Sequence, residues 1–271
     1  MFVWLNGRLI DQHSAQISLN DRGFLLGDGA FETLRYEGGQ LVRWDAHSQR
    51  LRDGLHWLGI DYPDLETLPA QIHHLVSRNR LDRAVVRLTV TRGASGPGLD
   101  PDPQIAPTVA ITARALPERR PMLDLTIFEE PVRSGLPQER FKLTQYGPMQ
   151  RARNSAREVG ADMSVVLNSV DRSLACCDSA NLFWIEGEHV FTPGLDTGAL
   201  PGTVRAALMA LAETDGIDVS EVRAPANHLQ HVDAVFVTNA VKGLVPVRSV
   251  DQTQYQPDNA IFERLLALFA D

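Results

Sequence analysis

Lysine is almost missing from this chain. Of 26 lysine and arginine residues, only Lys142 and Lys242 are lysine. Arginine keeps its proton in proteins and cannot attack an aldehyde carbon. If the protein does amine chemistry, the nucleophile is therefore one of two residues. Lys142 lies in Phe141-Lys142-Leu143-Thr144-Gln145-Tyr146, after the turn Ser134-Gly135-Leu136-Pro137 and before a helix-like run. Lys242 lies in Thr238-Asn239-Ala240-Val241-Lys242-Gly243, near the end of an apolar strand. Composition alone also fits two leftover surface lysines.

Cysteine is nearly as scarce. Cys176 and Cys177 are adjacent, and neighbouring residues rarely satisfy disulfide geometry, so both read as reduced thiols. The eight histidines form no metal pattern. His73-His74 points in two directions along a helix-like run, while His228 and His231 lack a nearby cysteine or acidic cluster, so no metal site is expected. No apolar run approaches the length that spans a bilayer, and no membrane partner is expected. The segment from Met1 to Gly7 lacks the basic stretch and long apolar region of a signal peptide. A cytoplasmic, bacterial-type enzyme is the simplest inference. The net charge of -8 argues against a nucleic-acid binder, which would present a basic face. It leaves room for a local basic pocket holding an anionic small molecule.

What is present is an ordinary globular mixture, 44% hydrophobic and 22% charged over 271 residues. That length fits one large domain or two ordinary ones. Alternating or continuous apolar runs predict strands over 2–5, 8–10, 31–36, 84–91, 108–113, 125–128, 163–167, 182–185, 189–191 and 235–238. Helical spacing predicts helices over 46–58, 63–79, 146–159, 203–215 and 257–270. The polar, proline-bracketed stretch from Leu116 to Pro121 reads as a boundary. The expected organisation is an N-terminal α/β domain over 1–116, a linker over 117–121, and a C-terminal α/β domain over 122–271 that carries Lys142. Between Asp21 and Arg35, the glycines Gly23, Gly27 and Gly29 predict tight turns or a close backbone approach. Their spacing is that of neither a Walker loop nor a dinucleotide fingerprint.

A possible phosphate site is legible in pieces. Gly202-Thr203-Val204 opens a helix, where backbone N–H groups and the positive dipole end attract anions. Thr238-Asn239-Ala240 ends a strand with a hydroxyl, and Arg50 lies three residues after His47 on the first long helix. An arginine, a helix start and a threonine together make a sensible phosphate cradle.

Taken in order, these pieces resemble a family. Arg22-Gly23 with the stretch from Gly27 to Arg35, His47 to Arg50, Lys142, the stretch from Ser179 to Trp184, the stretch from Pro201 to Arg205, and Thr238-Asn239-Ala240 are similar to the fold-type IV pyridoxal-phosphate enzymes, the class IV aminotransferase family. The resemblance spans nearly the whole chain. It implies two mixed α/β (α+β) domains of the D-amino-acid aminotransferase-like fold, with pyridoxal 5'-phosphate between them and a homodimer. It implies Lys142 as the Schiff-base lysine. Arg50, the amides of Thr203 and Val204, and Thr238 with Asn239 become cofactor contacts. Within the family, Cys176-Cys177 before Asn181-Leu182-Phe183-Trp184, Val245-Pro246-Val247 after Thr238-Asn239-Ala240, and Arg92-Gly93 with its glycine loop look most like aminodeoxychorismate lyase. That branch releases pyruvate to give 4-aminobenzoate for folate synthesis. An aminotransferase for D-amino or branched-chain acids is the alternative, and a non-catalytic cofactor-binding protein is a third reading. Glu32 and Arg92 are candidate substrate contacts, although Glu32 also reads as a solvated strand residue.

One departure stands out. The family places a glutamate, paired with the pyridine nitrogen, five residues before this asparagine. Counting back from Asn181 gives Cys176, and a one-residue insertion gives Ala175; neither is a carboxylate. Asp178 is the possible substitute.

Overall fold

The computed structural model describes residues 1–118, 120–256 and 258–270, the side chains of Pro63 and Ala270 excepted. Arg119 of the expected linker, Pro257 at the start of the expected closing helix, and Asp271 lie outside the described residues. The chain divides into two compact units, Met1–Pro117 with Phe141–Gln145, and Glu118–Arg140 with Tyr146–Asp271.

The first unit begins with β1 (Phe2–Leu5) and β2 (Arg8–Asp11). The turn between them is Asn6-Gly7, both at positive φ, the pairing that suits a two-residue hairpin. A short helix follows, α1 (Arg22–Leu26), where only tight turns were expected. The Asp21 carboxylate caps it by accepting from the Gly23 and Phe24 amides, and Gly27 ends it at φ 67°, a conformation glycine adopts without strain. Next come β3 (Gly29–Glu37), β4 (Gln40–Leu41), α2 (Trp44–Leu58), α3 (Leu68–Arg78), β5 (Ala84–Thr91) and β6 (Thr108–Ala115). A Cβ on Gly29 would sit 2.6 Å from the Val90 carbonyl, so the expected close approach is real and β5 makes it. The helix expected over 63–79 is divided: Pro63–Thr67 is a 3-10 turn and α3 starts at Leu68. Pro69, near the start of α3, has no N–H with which to continue an earlier turn.

The six strands form one antiparallel sheet in the order β2-β1-β6-β5-β3-β4. Leu34, Val86, Leu88 and Ile111 pack in one core with Leu51 and Leu55 of α2 and Ile72 and Leu75 of α3.

The segment carrying Lys142 clusters with this first unit, not with the C-terminal domain to which sequence assigned it. The reason lies in the hydrogen bonding of β3. Its opening residues pair with β5 on one side, while β4 reaches only Tyr36 and Glu37 on the other. An uncovered strand edge leaves main-chain groups unpaired. The Phe31 amide donates to the Lys142 carbonyl and the Thr144 amide to the Gly29 carbonyl, each at 2.9 Å. Leu143 is drawn into the first unit's core.

The second unit runs β7 (Leu123–Ile127), α4 (Gly147–Glu158), β8 (Met163–Leu167), β9 (Leu174–Cys177), β10 (Asn181–Glu186), β11 (His189–Pro193), α5 (Thr203–Thr214), β12 (Val219–Val222), β13 (Ala234–Asn239), β14 (Gly243–Val250), β15 (Thr253–Gln254) and α6 (Ala260–Ala270). Its mixed nine-stranded sheet has the order β12-β11-β10-β13-β14-β7-β8-β9, with β15 added to β14. Strand β10 explains the continuous apolar run Leu182-Phe183-Trp184-Ile185, because both of its faces are covered. Phe183 and Ile185 join Val204 and Leu208 of α5 and Phe262 and Leu265 of α6. Leu182 and Trp184 join Val235, Val237 and Leu229 in a separate cluster. Successive strand residues point to opposite faces, so a strand buried on both sides reads as unbroken hydrophobicity.

Candidate functional site

In the first unit, α2 presents His47 and Arg50 on one face, three residues apart, towards Glu32 of β3. The Glu32 carboxylate accepts from Arg50 Nε and Nη2, both at 2.7 Å, and lies 2.7 Å from His47 Nδ1. Glu32 and His47 are each 1% exposed, which corrects the view of Glu32 as a solvated strand residue. Burial pushes the Glu32 carboxyl up, but the Arg50 charge and the His47 hydrogen bond outweigh it and hold its pKa down at about 2. The cue was available in sequence: Glu32 alternates with Ala30 and Leu34, which both face the core.

Arg92, the other candidate substrate contact, is also taken up within the unit. It donates to both oxygens of Asp28 and to the Leu58 and Gly59 carbonyls. Arg22 bonds the same Asp28 carboxylate and the Gly98 and Leu99 carbonyls. Burial raises the Asp28 carboxyl, yet the two guanidinium groups bring it below its ordinary value. These contacts tie the glycine loop after Arg92 to the strand start at Gly29.

The Lys142 carbonyl accepts from the Phe31 amide, and its Nζ lies 4.7 Å from the centroid of the Phe31 ring. The Thr144 hydroxyl donates to the Gly27 and Gly29 carbonyls. The glycine-rich strand entry thus fixes the lysine segment in place. Lys242 lies in the turn between β13 and β14, where the Asn239 side chain accepts from the Val241 and Lys242 amides. Asn239 also donates to the Ser179 carbonyl at 3.2 Å. Its visible work is to shape that turn.

In the second unit, Asn181 and Thr238 are direct neighbours across β10 and β13. The Asn181 amide donates to the Leu200 carbonyl just ahead of α5. A Cβ on Gly202 would meet Asn181 Oδ1 at 1.9 Å, so only glycine fits at the entry to α5. No side chain caps that helix, and its positive dipole end is directed there. Thr203 and Val204 are its first two residues and both are buried. Thr238 is 1% exposed, and its buried hydroxyl has no hydrogen-bond partner among the described residues. A buried hydroxyl left unpaired is costly, and an anion oxygen would satisfy it. The residue types therefore fit a phosphate group. Thr238→Val tests this. It removes no protein hydrogen bond, so the melting temperature of the ligand-free protein should hold or rise, while affinity for pyridoxal phosphate falls about tenfold.

Cys176 and Cys177 part company along β9. Cys177 joins the large core, while Cys176 packs with Phe128, Met149, Val166 and Tyr146. Both are free thiols, and burial raises both above their ordinary range. Asp178 does not sit idle as a spare carboxylate. Its side chain accepts from the Ser164 amide at 2.8 Å and pairs with Arg153 at 2.6 Å. Beside Cys176 lies Arg133, a residue sequence reasoning passed over. Among the described residues, no group of three or more His, Cys, Asp or Glu side chains is gathered as a metal site would require, and no helix is long and apolar enough to cross a membrane.

Comparison with known proteins identifies the class. The chain belongs to the amino-transferase class IV family, whose profile matches residues 29–250. It is 28% identical over 267 residues to an aminodeoxychorismate lyase of Vibrio harveyi, covering 95% of this chain and 93% of that one. It is also 28% identical over 261 residues to a D-alanine aminotransferase of Listeria innocua, covering 94% and 89%. Among solved structures, the branched-chain aminotransferase of Thermoproteus uzoniensis superposes with a TM-score of 0.92 at 22% identity, covering 100% and 93%.

Proposed function

We propose that this protein is a pyridoxal-phosphate-dependent lyase that eliminates pyruvate from 4-amino-4-deoxychorismate and leaves 4-aminobenzoate. The observation that carries the lyase reading is Cys176. No carboxylate stands at the position of the expected glutamate, and Asp178 is committed to Ser164 and Arg153.

Bound pyridoxal phosphate supplies an aldehyde that condenses with amines and a ring that draws electrons from the carbon beside the captured nitrogen. Lys142 would hold the aldehyde carbon until a substrate amine displaces it. The freed Lys142 amine would then take the proton from the substrate ring carbon that bears the nitrogen. The electron pair left on that carbon would form the last ring double bond and expel the enolpyruvyl oxygen, aromatisation driving the step, and the departing enolate would take up a proton to become pyruvate. Thr203, Val204, Thr238 and Arg50 would hold the phosphate, with Glu32 keeping Arg50 oriented. Asn239 would support Thr238 by shaping the turn behind it. Transamination must store the carbanion's electrons on a protonated ring nitrogen; elimination needs that store less.

Cys176→Glu tests the assignment. Transamination should rise relative to elimination by about tenfold, read as keto-acid formation from D-alanine, L-leucine and L-glutamate against pyruvate release from aminodeoxychorismate. An unchanged ratio counts against it. The aminotransferase relative of equal identity supports the second reading, transfer of an amino group from a D-amino or branched-chain acid; the same substrate panel on the wild-type protein decides between them. We also propose a homodimer, for which Phe24, Leu25 and Leu26 of α1 offer a second copy an exposed apolar surface.

A further inference from the structure

If pyridoxal phosphate is bound as proposed above, Cys176 leaves its ring nitrogen without a carboxylate. A buried thiol whose pKa is raised by desolvation is neutral at ordinary pH and holds no positive charge in place. The neighbouring groups decide what the nitrogen meets instead. Arg133 is anchored by its main chain to the end of β8: its amide donates to the Leu167 carbonyl, and its carbonyl accepts from the Ser169 amide at 2.5 Å. Its charge and that of the Cys176 thiol act on one another, and the Tyr146 phenol and the Glu139 carboxylate act on Arg133 in the same sense, holding the guanidinium protonated. Arg133 Nε is buried and has no hydrogen-bond partner among the described residues. Both oxygens of Glu139 are occupied by the Ser134 and Gly135 amides. Asp178 is taken by Ser164 and Arg153. Where the family pattern calls for an anion, this chain has nearby a half-buried, permanently charged side chain with a buried Nε donor to spare.

We propose that Arg133 is the residue presented to the cofactor's ring nitrogen, donating a hydrogen bond to its lone pair and keeping it unprotonated. This deepens the lyase reading, on which it rests. A cation beside the nitrogen opposes its protonation, because two like charges at contact repel. The ring is then a weaker electron store, sufficient for an elimination driven by aromatisation and poor for reversible amino transfer. Arg133 is thus a positioning and electronic residue for the cofactor rather than a proton carrier.

The test uses the full-length protein loaded with pyridoxal phosphate carrying nitrogen-15 in its ring. In the wild type, the nitrogen resonance should be that of a neutral, hydrogen-bonded pyridine throughout pH 6 to 8. In Arg133→Leu it should move to the position of a pyridine that accepts no hydrogen bond, or to that of a pyridinium. A wild-type resonance in the pyridinium range overturns the proposal, and it needs no variant to fold. A resonance identical in wild type and Arg133→Leu also overturns it, with Arg133→Gln as the second variant should the leucine form fail to fold. Loss of the borohydride-sensitive visible band in the wild type removes the cofactor reading and this inference together. A normal band with a protonated nitrogen removes this inference alone.

Discussion

Lys142→Ala abolishes the visible absorbance of the protein mixed with pyridoxal phosphate and lowers turnover by at least about 10³-fold, the scale of a lost acid–base group. The fold survives the change. The segment is tied to β3 through the Lys142 carbonyl and the Thr144 amide, and through Leu143 in the core; none of these uses the lysine amine. Far-ultraviolet dichroism and the melting temperature should stay close to wild type. Lys242→Ala is the control, because the β13–β14 turn uses the Lys242 main chain, and it should retain both colour and turnover. Full activity in Lys142→Ala would mean that the chemistry lies elsewhere.

Glu32→Gln has the largest effect on stability. It leaves Arg50 and His47 facing a neutral amide in a buried site, and breaking a buried ion pair costs roughly 3–5 kcal/mol. The melting temperature of the ligand-free protein should fall on the order of 10 °C. The effect depends on pH in a definite direction. The folded-state pKa of Glu32 is depressed, from 4.5 to about 2. The pH-dependent part of its contribution, about 3 kcal/mol, is fully present above pH 4.5 and fades as pH falls towards 2. Urea denaturation at pH 7 and again near pH 3 should therefore show a wide gap between wild type and Glu32→Gln that narrows in acid. A gap independent of pH would mean that Glu32 is not charged in the folded protein.

Much of this architecture is legible from residue order alone. Strands such as β5 and β10 announce themselves through β-branched and aromatic runs, and the hairpin at Asn6-Gly7 through its turn residues. What local pattern could not supply is pairing at a distance. Nothing within Phe141-Lys142-Leu143-Thr144 says that it will close the open edge of β3, more than 100 residues earlier in the chain. That partnership is set by main-chain groups, which carry no residue identity. The short strands β9 and β12 escaped for a related reason. Leu174-Ala175-Cys176-Cys177 is too small and too weakly patterned to register, and it becomes a strand through its pairing with β8. Among candidate site residues, the glycine at position 202 and the hydroxyl at Thr238 were readable by type, but the bond from Asn181 to Leu200 that relates them was not. Arg133 was invisible because one arginine among many carries no mark. Only its buried, unpartnered Nε and its neighbour Cys176 set it apart among the described residues.

The most direct measurement of the central claim is borohydride reduction of the pyridoxal-phosphate-loaded protein, followed by proteolysis and mass spectrometry of the pyridoxyl-bearing peptide. The account predicts a single modified peptide, with the label on Lys142. Label on Lys242, or no label at all, would contradict it.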